Sequence, residues 1–294
     1  MLSLDETRKV VVVDNFYLGN TENLINHSQD PRLKIVRADA SDFSTMSQIC
    51  EEFKPQVYIN FAVVPLPTSL TYPNWSVKIN IELALVACEL ARLGKIQRYL
   101  HISSSEVYGT ARFVPMNESH PIDSETPYAA AKASADQVIL SYMKTFGIEA
   151  LILRPFNNYG PRQNSLEYAG VIPIFIKKML KSEDCVIFGN GLQTRDFIYV
   201  EETAQYILAC MQLEHCWNKG PINICSGLET SILDIFYRLQ EILKSKSQLI
   251  FAPSRPGDVL RHCGDSSLLV ELTALSVPKK LSIKGLENTI AFYS

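Results

Sequence analysis

A tyrosine and a lysine stand four residues apart in the stretch YAAAK, as Tyr128 and Lys132. Side chains with this spacing lie on the same face of a helix, one turn apart. A phenol with a pKa of about 10 is a poor base, but a lysine cation about 4 Å away stabilises the phenolate by roughly 4 kcal/mol. The spacing therefore predicts a lowered Tyr128 pKa and a side chain that exchanges a proton with a hydroxyl. A chance pair on an exposed helix has the same spacing.

A second group of polar residues follows an apolar segment in HISSSEVYG, residues 101–109. The pattern predicts a strand that ends in a turn of small residues. Doubly wound sheets bind ligands at this end of their strands. A serine there is suited to hydrogen-bond a substrate oxygen, and Glu106 is suited to remove a proton beside a carbonyl. A polar turn without any chemistry uses the same residue types, so both interpretations stay open.

The elements that must position these residues alternate between strands and helices. In the first part of the chain, strands are predicted at 9–14, 33–42, 56–63, 97–106 and 149–155, with helices at 45–53, 80–94 and 128–147. This alternation indicates an α/β fold with a doubly wound parallel sheet. After Pro155 the pattern predicts a helix at 170–182, two short strands and a helix within 185–212, a strand at 220–227, a helix at 231–245 and a loop-rich remainder.

The composition excludes several classes of protein. The chain has 294 residues, of which 47% are hydrophobic, and a net charge of −3, so it is large enough for a core but lacks the basic footprint of a nucleic-acid-binding protein. Its seven cysteines form no C-x-x-C pair, and its histidines lack ligand spacing. We therefore expect no metal site, and reduced thiols in the cytoplasm. No secretory leader and no apolar run of about 20 residues is visible, which argues against a membrane protein.

Several segments, taken in order, resemble those of one family. They are VVVVDNF, NFAV, SSSEVYG, TPYAAAK, LRPFNNYGPRQ, QTRDFIYVEE and RPGD. The chain resembles the extended short-chain dehydrogenases/reductases, specifically the NAD-dependent nucleotide-sugar epimerases and dehydratases. The resemblance implies a Rossmann-type NAD-binding domain (1–155 and 196–226) interleaved with a smaller nucleotide-sugar-binding domain (156–195 and 227–294). It also implies a homodimer formed through the helices at 80–94 and 128–147.

The resemblance also implies a reaction. In this family bound NAD takes a hydride from the sugar, usually at C4. Tyr128 matches the base, Lys132 its helper, and Ser104 the residue that bonds the C4 oxygen. The 4,6-dehydratases add an aspartate and a glutamate for C5 and C6, and here Ser105 and Glu106 stand in those positions. The local pattern is most similar to UDP-N-acetylglucosamine 4,6-dehydratases. A 4-epimerase, a glucuronate decarboxylase and a catalytically impaired binding protein remain alternatives.

Binding residues follow from the same resemblance. For the nucleotide sugar they are Asn157, Arg162, Arg195 and Arg255; Arg195 precedes Asp196, which could partly neutralise it. For NAD they are Asp14, Asn15, Asp39, Ala40, Phe61, Ala62, Val63, Asn80, Tyr128, Lys132 and Pro155. Asp14 matches the acid that binds the ribose hydroxyls, and no arginine follows it, which favours NAD over NADP.

The family's glycine-rich turn has no counterpart before the strand VVVVD. The distance from LKIVRADASD to QVYINFAV makes VVVVD the family's second strand, so the predicted sheet is N-terminally truncated. Either the second strand then pairs with the fourth, or two strand edges stay open. The cofactor's pyrophosphate also lacks the backbone donors of the turn. Three explanations stay open: an incomplete gene model, a divergent and inactive member, or a first segment supplied by another chain or a rearranged fold.

Overall fold

The computed structural model describes residues 2, 8–164, 170–254 and 259–294. The strands are β1 (Val10–Asp14), β2 (Leu33–Arg37), β3 (Val57–Asn60), β4 (Arg98–Ile102), β5 (Glu149–Pro155), β6 (Asn157–Tyr159), β7 (Cys185–Phe188), β8 (Thr194–Arg195), β9 (Phe197–Tyr199), β10 (Pro221–Ile224), β11 (Thr230–Ser231) and β12 (Leu249–Ala252). The α-helices are α1 (Phe43–Phe53), α2 (Leu66–Thr71), α3 (Pro73–Arg92), α4 (Pro127–Phe146), α5 (Val171–Leu180), α6 (Val200–Gln212), α7 (Ile232–Leu243), α8 (Ser267–Thr273) and α9 (Ile283–Tyr293).

The main sheet contains parallel strands in the order β10-β5-β4-β3, and β1 and β2 form a separate parallel pair. This confirms the predicted α/β fold with a parallel Rossmann-type sheet. Within the described ranges, β1 pairs only with β2 and β3 pairs only with β4. Each of these two strands therefore has one edge without a strand partner. Of the two predicted arrangements, the structure adopts the one with open edges.

Helices cover both faces of the main sheet, and the side chains of β4 show how. Tyr99 points to one face and packs in a core with residues of α3 and α4, while Leu100 points to the other and packs with residues of α6 and α8. Successive strand residues point to opposite faces, so a strand covered on both sides buries neighbouring apolar residues such as these two. Both side chains are fully buried.

A separate core joins α5, α7 and α9. Phe175 and Phe236 meet edge to face with ring centroids 5.8 Å apart, and Leu286 of α9 packs into the same core. The prediction of a loop-rich C-terminal remainder is wrong, because β12, α8 and α9 lie there. In α9, Leu286 and Ile290 stand one turn apart and bury the same face of the helix. The division into two domains at the stated boundaries stays a prediction.

Candidate active site

Tyr128 and Lys132 lie near the beginning of α4, close to the end of β4. Thr126 caps this helix because its side-chain oxygen accepts a backbone N–H of the first turn at 3.2 Å. The side chain of Lys132 crosses to β4, where its Nζ donates to the carbonyl oxygen of Ile102 at 2.7 Å. Lys132 is only 4% exposed, so this bond and its neighbours replace its water. The helix start and the strand end are thus tied together through the lysine.

Burial controls the ionisation of both side chains. It raises the pKa of Tyr128 to about 12, against the lowering effect of a hydrogen bond with Ser104. It also lowers the pKa of Lys132 to about 8. The predicted lowering of the Tyr128 pKa is therefore wrong for this structure. The helical spacing alone omits desolvation, which disfavours the charged form of each group.

The turn after β4 brings two further residues to Tyr128. Ser104 accepts the backbone N–H of Glu106 at 3.2 Å and so caps the short 3₁₀ helix Ser105–Tyr108. Gly109 ends that helix with φ +65°, and a Cβ there would lie 2.1 Å from the carbonyl oxygen of Asp123. A glycine is therefore required for the turn to close. Ser104 hydrogen-bonds Tyr128, and the charge of Glu106 raises the Tyr128 pKa further.

Ser105 contacts a residue that the sequence analysis missed. Ser105 is 3% exposed, and the ring Nε2 of His262 lies 3.2 Å from its carbonyl oxygen. The His262 ring also packs against Phe156, with centroids 4.9 Å apart. Burial, followed by the charge of Arg195, lowers the pKa of His262 to about 4, which keeps the ring neutral. His262 follows RPGD by a few residues, and its burial is visible only in three dimensions.

Acidic residues follow both β1 and β2. Asp14 ends β1, and its Oδ1 accepts the backbone N–H two residues later at 2.7 Å. The backbone and the hydroxyl of Ser41, and then Asn15, hydrogen-bond Asp39 and lower its pKa. The structure thus brings Asn15 and Asp39 into contact. Ala40 is half-buried beside them and packs on the core that contains Tyr99.

The loop after β3 carries the next predicted cofactor residues. Phe61 is 59% exposed, whereas Ala62 and Val63 are half-buried. Asn80 of α3 is buried, and its amide bonds both backbone groups of Val64, accepting at 2.8 Å and donating at 2.9 Å. The amide of Asn80 therefore holds the loop in place.

The residues predicted to bind the nucleotide sugar differ in their exposure and in their hydrogen bonds. Pro155 ends β5, and Asn157 starts β6 with a buried side-chain oxygen that has no hydrogen-bond partner among the described residues. Arg162 is exposed and has φ +67°. Arg195 ends β8, and its Nη1 donates to the carbonyl oxygen of Val259 at 2.5 Å. Arg255 lies outside the described residues.

The carboxylate of Asp196 has its own hydrogen-bond partners. It accepts the backbone N–H and hydroxyl of Ser226 at 2.8 and 2.6 Å, and the backbone N–H groups of Gly227 and Gly264 at 2.9 and 3.1 Å. Asp196 is fully buried, so these bonds replace its water. The carboxylate thus holds the loop after β10 against the segment that follows His262, so Asp196 has a structural role.

The sequence model of the NAD dependent epimerase/dehydratase family matches residues 2–225. The chain belongs to this family. Among its relatives, a UDP-glucose 4-epimerase of Mycolicibacterium smegmatis is 27% identical over 97% of this chain and 90% of its own. A dTDP-glucose 4,6-dehydratase of an Actinoplanes species is 29% identical over 97% of this chain and 88% of its own.

A solved structure of the same type is the UDP-glucuronic acid 4-epimerase of Bacillus cereus, in complex with UDP-glucuronic acid and NAD. It is 28% identical, with a TM-score of 0.90 over 99% of this chain and 93% of that one. The predicted family and the NAD cofactor are confirmed. No helix in the described ranges is both long and apolar enough to cross a bilayer.

The described residues fit NAD at two places. Asp14 stands at a strand end, and Gly19 passes so close that a Cβ there would lie 2.5 Å from the Asp14 carboxylate. The glycine therefore leaves the carboxylate room to take ribose hydroxyls. Tyr128 and Lys132 lie near the carboxyl end of β4, where a polar ligand would meet them at the edge of the sheet.

Proposed function

We propose that this protein converts a nucleotide sugar through a 4-keto intermediate and acts as a 4,6-dehydratase on a UDP-sugar of the UDP-N-acetylglucosamine type. The observation that carries the proposal is the position of Glu106. Glu106 lies in the short turn capped by Ser104, the residue that hydrogen-bonds Tyr128, and its charge raises the Tyr128 pKa, so a carboxylate belongs to the same turn as the phenol's contact. Simple exchange of a hydride at C4 needs only the tyrosine.

The residues act in order. Ser104 hydrogen-bonds the C4 oxygen while Tyr128 takes the proton of the C4 hydroxyl, and Lys132 supports the phenolate with its positive charge. Bound NAD would supply the hydride acceptor for oxidation at C4 and the hydride donor for reduction at C6. Glu106 removes the C5 proton, which the C4 ketone has made acidic, and passes it to the C6 hydroxyl, which leaves as water. A proton from solvent replaces it at C5 when hydride reaches C6, and Tyr128 releases the proton of the C4 hydroxyl to solvent. The phenol pKa of about 12 makes the charge of Lys132 important for the first step.

We assign substrate and cofactor contacts on the same basis. The half-buried Asn157, together with Arg162, Arg195 and Arg255, is proposed to bind the diphosphate, since an amide N–H donates to phosphate oxygens and guanidinium groups fork onto them. Asp14, with the other NAD residues named above, is proposed to bind the cofactor. A homodimer through α3 and α4 is also proposed, supported by the exposed aromatic residues Trp75 and Phe146 on these helices. The cytoplasm is the proposed location.

A 4-epimerase is the second candidate, and Ser105 is the observation that favours it. A hydroxyl replaces the acid that would assist departure of the C6 hydroxyl, and the Ser105 carbonyl is already engaged by His262. A glucuronate decarboxylase would use the same 4-keto step. A binding protein without turnover would use the same contacts to the nucleotide sugar.

The test is to incubate the full chain with NAD and a panel of UDP-, dTDP- and GDP-sugars and to analyse the products by mass spectrometry and NMR. We expect a 4-keto-6-deoxy sugar that has lost one water. An isomer of unchanged mass supports the epimerase, and loss of carbon dioxide supports the decarboxylase. No product from any sugar overturns the enzyme proposal.

The Glu106→Gln variant sharpens this test. We expect it to abolish water loss, while solvent deuterium no longer enters C5 and slow oxidation at C4 persists. The matched control is Glu183→Gln, the same change at an exposed residue remote from the site, which pairs with Lys178 at 3.7 Å. Dehydration by Glu106→Gln at the wild-type rate would refute the assigned role.

A further inference from the structure

A buried carboxylate lies one helical turn from Lys132. Asp136 follows Lys132 by four residues on α4, so the two side chains share one face of the helix. Asp136 is fully buried and Lys132 is 4% exposed. No motif in the sequence analysis included Asp136, and the proposed mechanism does not use it.

Arg154 of β5 holds this carboxylate from the opposite side. Its Nε and its Nη2 each lie 2.9 Å from Oδ2 of Asp136. The side chains are 2% and 0% exposed, so the pair is out of contact with water. A buried charge is tolerated in a protein when it is paired, and here the pairing is through Oδ2, while Oδ1 of Asp136 accepts no hydrogen bond from the described residues.

The pair is fixed in a larger network that reaches the motif after β4. The Nη1 of Arg154 donates to the Tyr108 hydroxyl at 2.9 Å, which in turn donates to Oδ1 of Asn223 at 2.8 Å. The backbone N–H of Asn223 donates to Glu118 at 2.9 Å. Arg154 therefore has little freedom to turn away from Asp136.

The charges around Lys132 follow from this arrangement. Burial lowers the pKa of Lys132, and the charge of Asp136 raises it. Burial raises the pKa of Asp136, while Arg154, the Ser103 hydroxyl and Lys132 lower it. Arg154 thus favours an ionised Asp136, and an ionised Asp136 favours a charged Lys132.

The groups that face this cluster from β4 stay neutral. His101 is buried, and burial followed by the charge of Lys132 lowers its pKa well below the usual range. Burial raises the pKa of Tyr99 well above the usual range. Asp136 is therefore the group that supplies negative charge to Lys132.

We propose that Asp136 is a positioning residue for the reaction: clamped by Arg154, its carboxylate keeps the Lys132 ammonium charged and in place beside Tyr128. The inference rests on the proposed catalytic function for its consequence in turnover. Its structural part, the effect of Asp136 on Lys132, stands independently of any substrate.

The first test is the titration of Lys132 in the full chain without substrate. The chain is labelled on lysine with NMR-active isotopes, and the Lys132 signal is assigned by its loss in Lys132→Met. We expect Asp136→Asn to lower the Lys132 pKa by about one pH unit or more and Asp136→Glu to restore it in part. Glu118→Gln is the matched control, because it makes the same change in the same network without altering Lys132.

Asp136→Asn leaves Arg154 buried without its partner, which endangers folding. The double variant Asp136→Asn/Arg154→Met removes both charges and keeps the inference testable. We expect the same fall in the Lys132 pKa in the double variant. A wild-type Lys132 titration in a folded variant lacking Asp136 overturns the inference.

The second test measures how kcat/KM depends on pH, with the sugar that the panel experiment shows to be converted. A charged Lys132 is required, so activity is present below its pKa and is lost as the pH rises through about 8. In Asp136→Asn we expect this alkaline limb to move to lower pH, with kcat reduced and KM for the sugar unchanged. A structural role alone reduces the amount of folded protein without moving the limb.

The two tests separate the two proposals. If no sugar is converted but the Lys132 titration responds to Asp136, the proposed function fails and the electrostatic role of Asp136 stands. If a sugar is converted but the alkaline limb of the pH profile does not move in Asp136→Asn, the proposed function stands and the proposed role of Asp136 fails.

Discussion

The main sheet and the β1–β2 pair are built from similar apolar strands but are stabilised differently. Leu151 of β5 is 1% exposed and has helices over it and strands on either side. All residues of β1 are only half-buried, and Ile35 of β2 is 37% exposed. The proposed catalytic side chains stand on the first region, and Asp14, the proposed ribose ligand, on the second. The proposed chemistry therefore rests on the more deeply buried region and the proposed ribose contact on the less buried one.

The largest expected difference between the two regions is in the free energy of unfolding lost when one side chain is truncated in each. Leu151→Ala is expected to lower the free energy of unfolding by about 2–5 kcal/mol, because it leaves a cavity in a closed core. Val12→Ala in β1 is expected to cost less than about 1.5 kcal/mol, because the valine is already half-exposed. Urea unfolding followed by circular dichroism measures both. Equal losses would show that β1 is as well supported as β5.

A smaller effect comes from pH. His262 has a pKa of about 4 against an ordinary value of 6.5, so its unfolded form binds a proton that its folded form does not. Stability is then full above pH 6.5 and falls as the pH drops toward 4, by on the order of 2–3 kcal/mol. The difference between wild type and His262→Phe in urea unfolding at several pH values isolates this contribution. A pH dependence identical in both proteins would contradict it.

The smallest expected effect is on cofactor binding at the less buried region. Asp14→Asn exchanges a charged acceptor for a neutral one and is expected to weaken NAD binding about tenfold, which calorimetry measures. Affinity for the nucleotide sugar should not change. Asp30→Asn serves as a control in the same region, because Asp30 pairs with Arg32 at 2.6 Å away from the strand ends. An unchanged NAD affinity in Asp14→Asn would remove Asp14 from the ribose contact.

Local patterns predicted much of the fold. The helix predicted at 128–147 spans Pro127–Phe146, and the strand at 149–155 spans Glu149–Pro155, because Pro127 and Gly147 mark the boundaries of α4. The helix predicted at 80–94 begins earlier, at Pro73, because PNWS does not show the apolar period. α9 was missed for lack of a strong start signal, although Ser282 caps it.

The sequence predicted which residues meet at the site, but not the direction in which the Tyr128 pKa shifts. Ser104, Glu106, Tyr128 and Lys132 meet at one strand end, as motif order implied. The pKa of Tyr128 moves in the direction opposite to the prediction because burial, which no local spacing reveals, outweighs the hydrogen bond with Ser104, and the charge of Glu106 adds to the rise. The roles of Asp136 and His262 depend on contacts with residues far along the chain, at Arg154 and Ser105.

The buried oxygen of Asn157 has a consequence for affinity. Its side-chain oxygen is shielded from water and accepts no hydrogen bond from the described residues. An acceptor left unpaired in this way costs about 1–3 kcal/mol of folding free energy. A ligand group that donated to this oxygen would form its hydrogen bond without first displacing water from it, and the relief of that cost would contribute to the affinity.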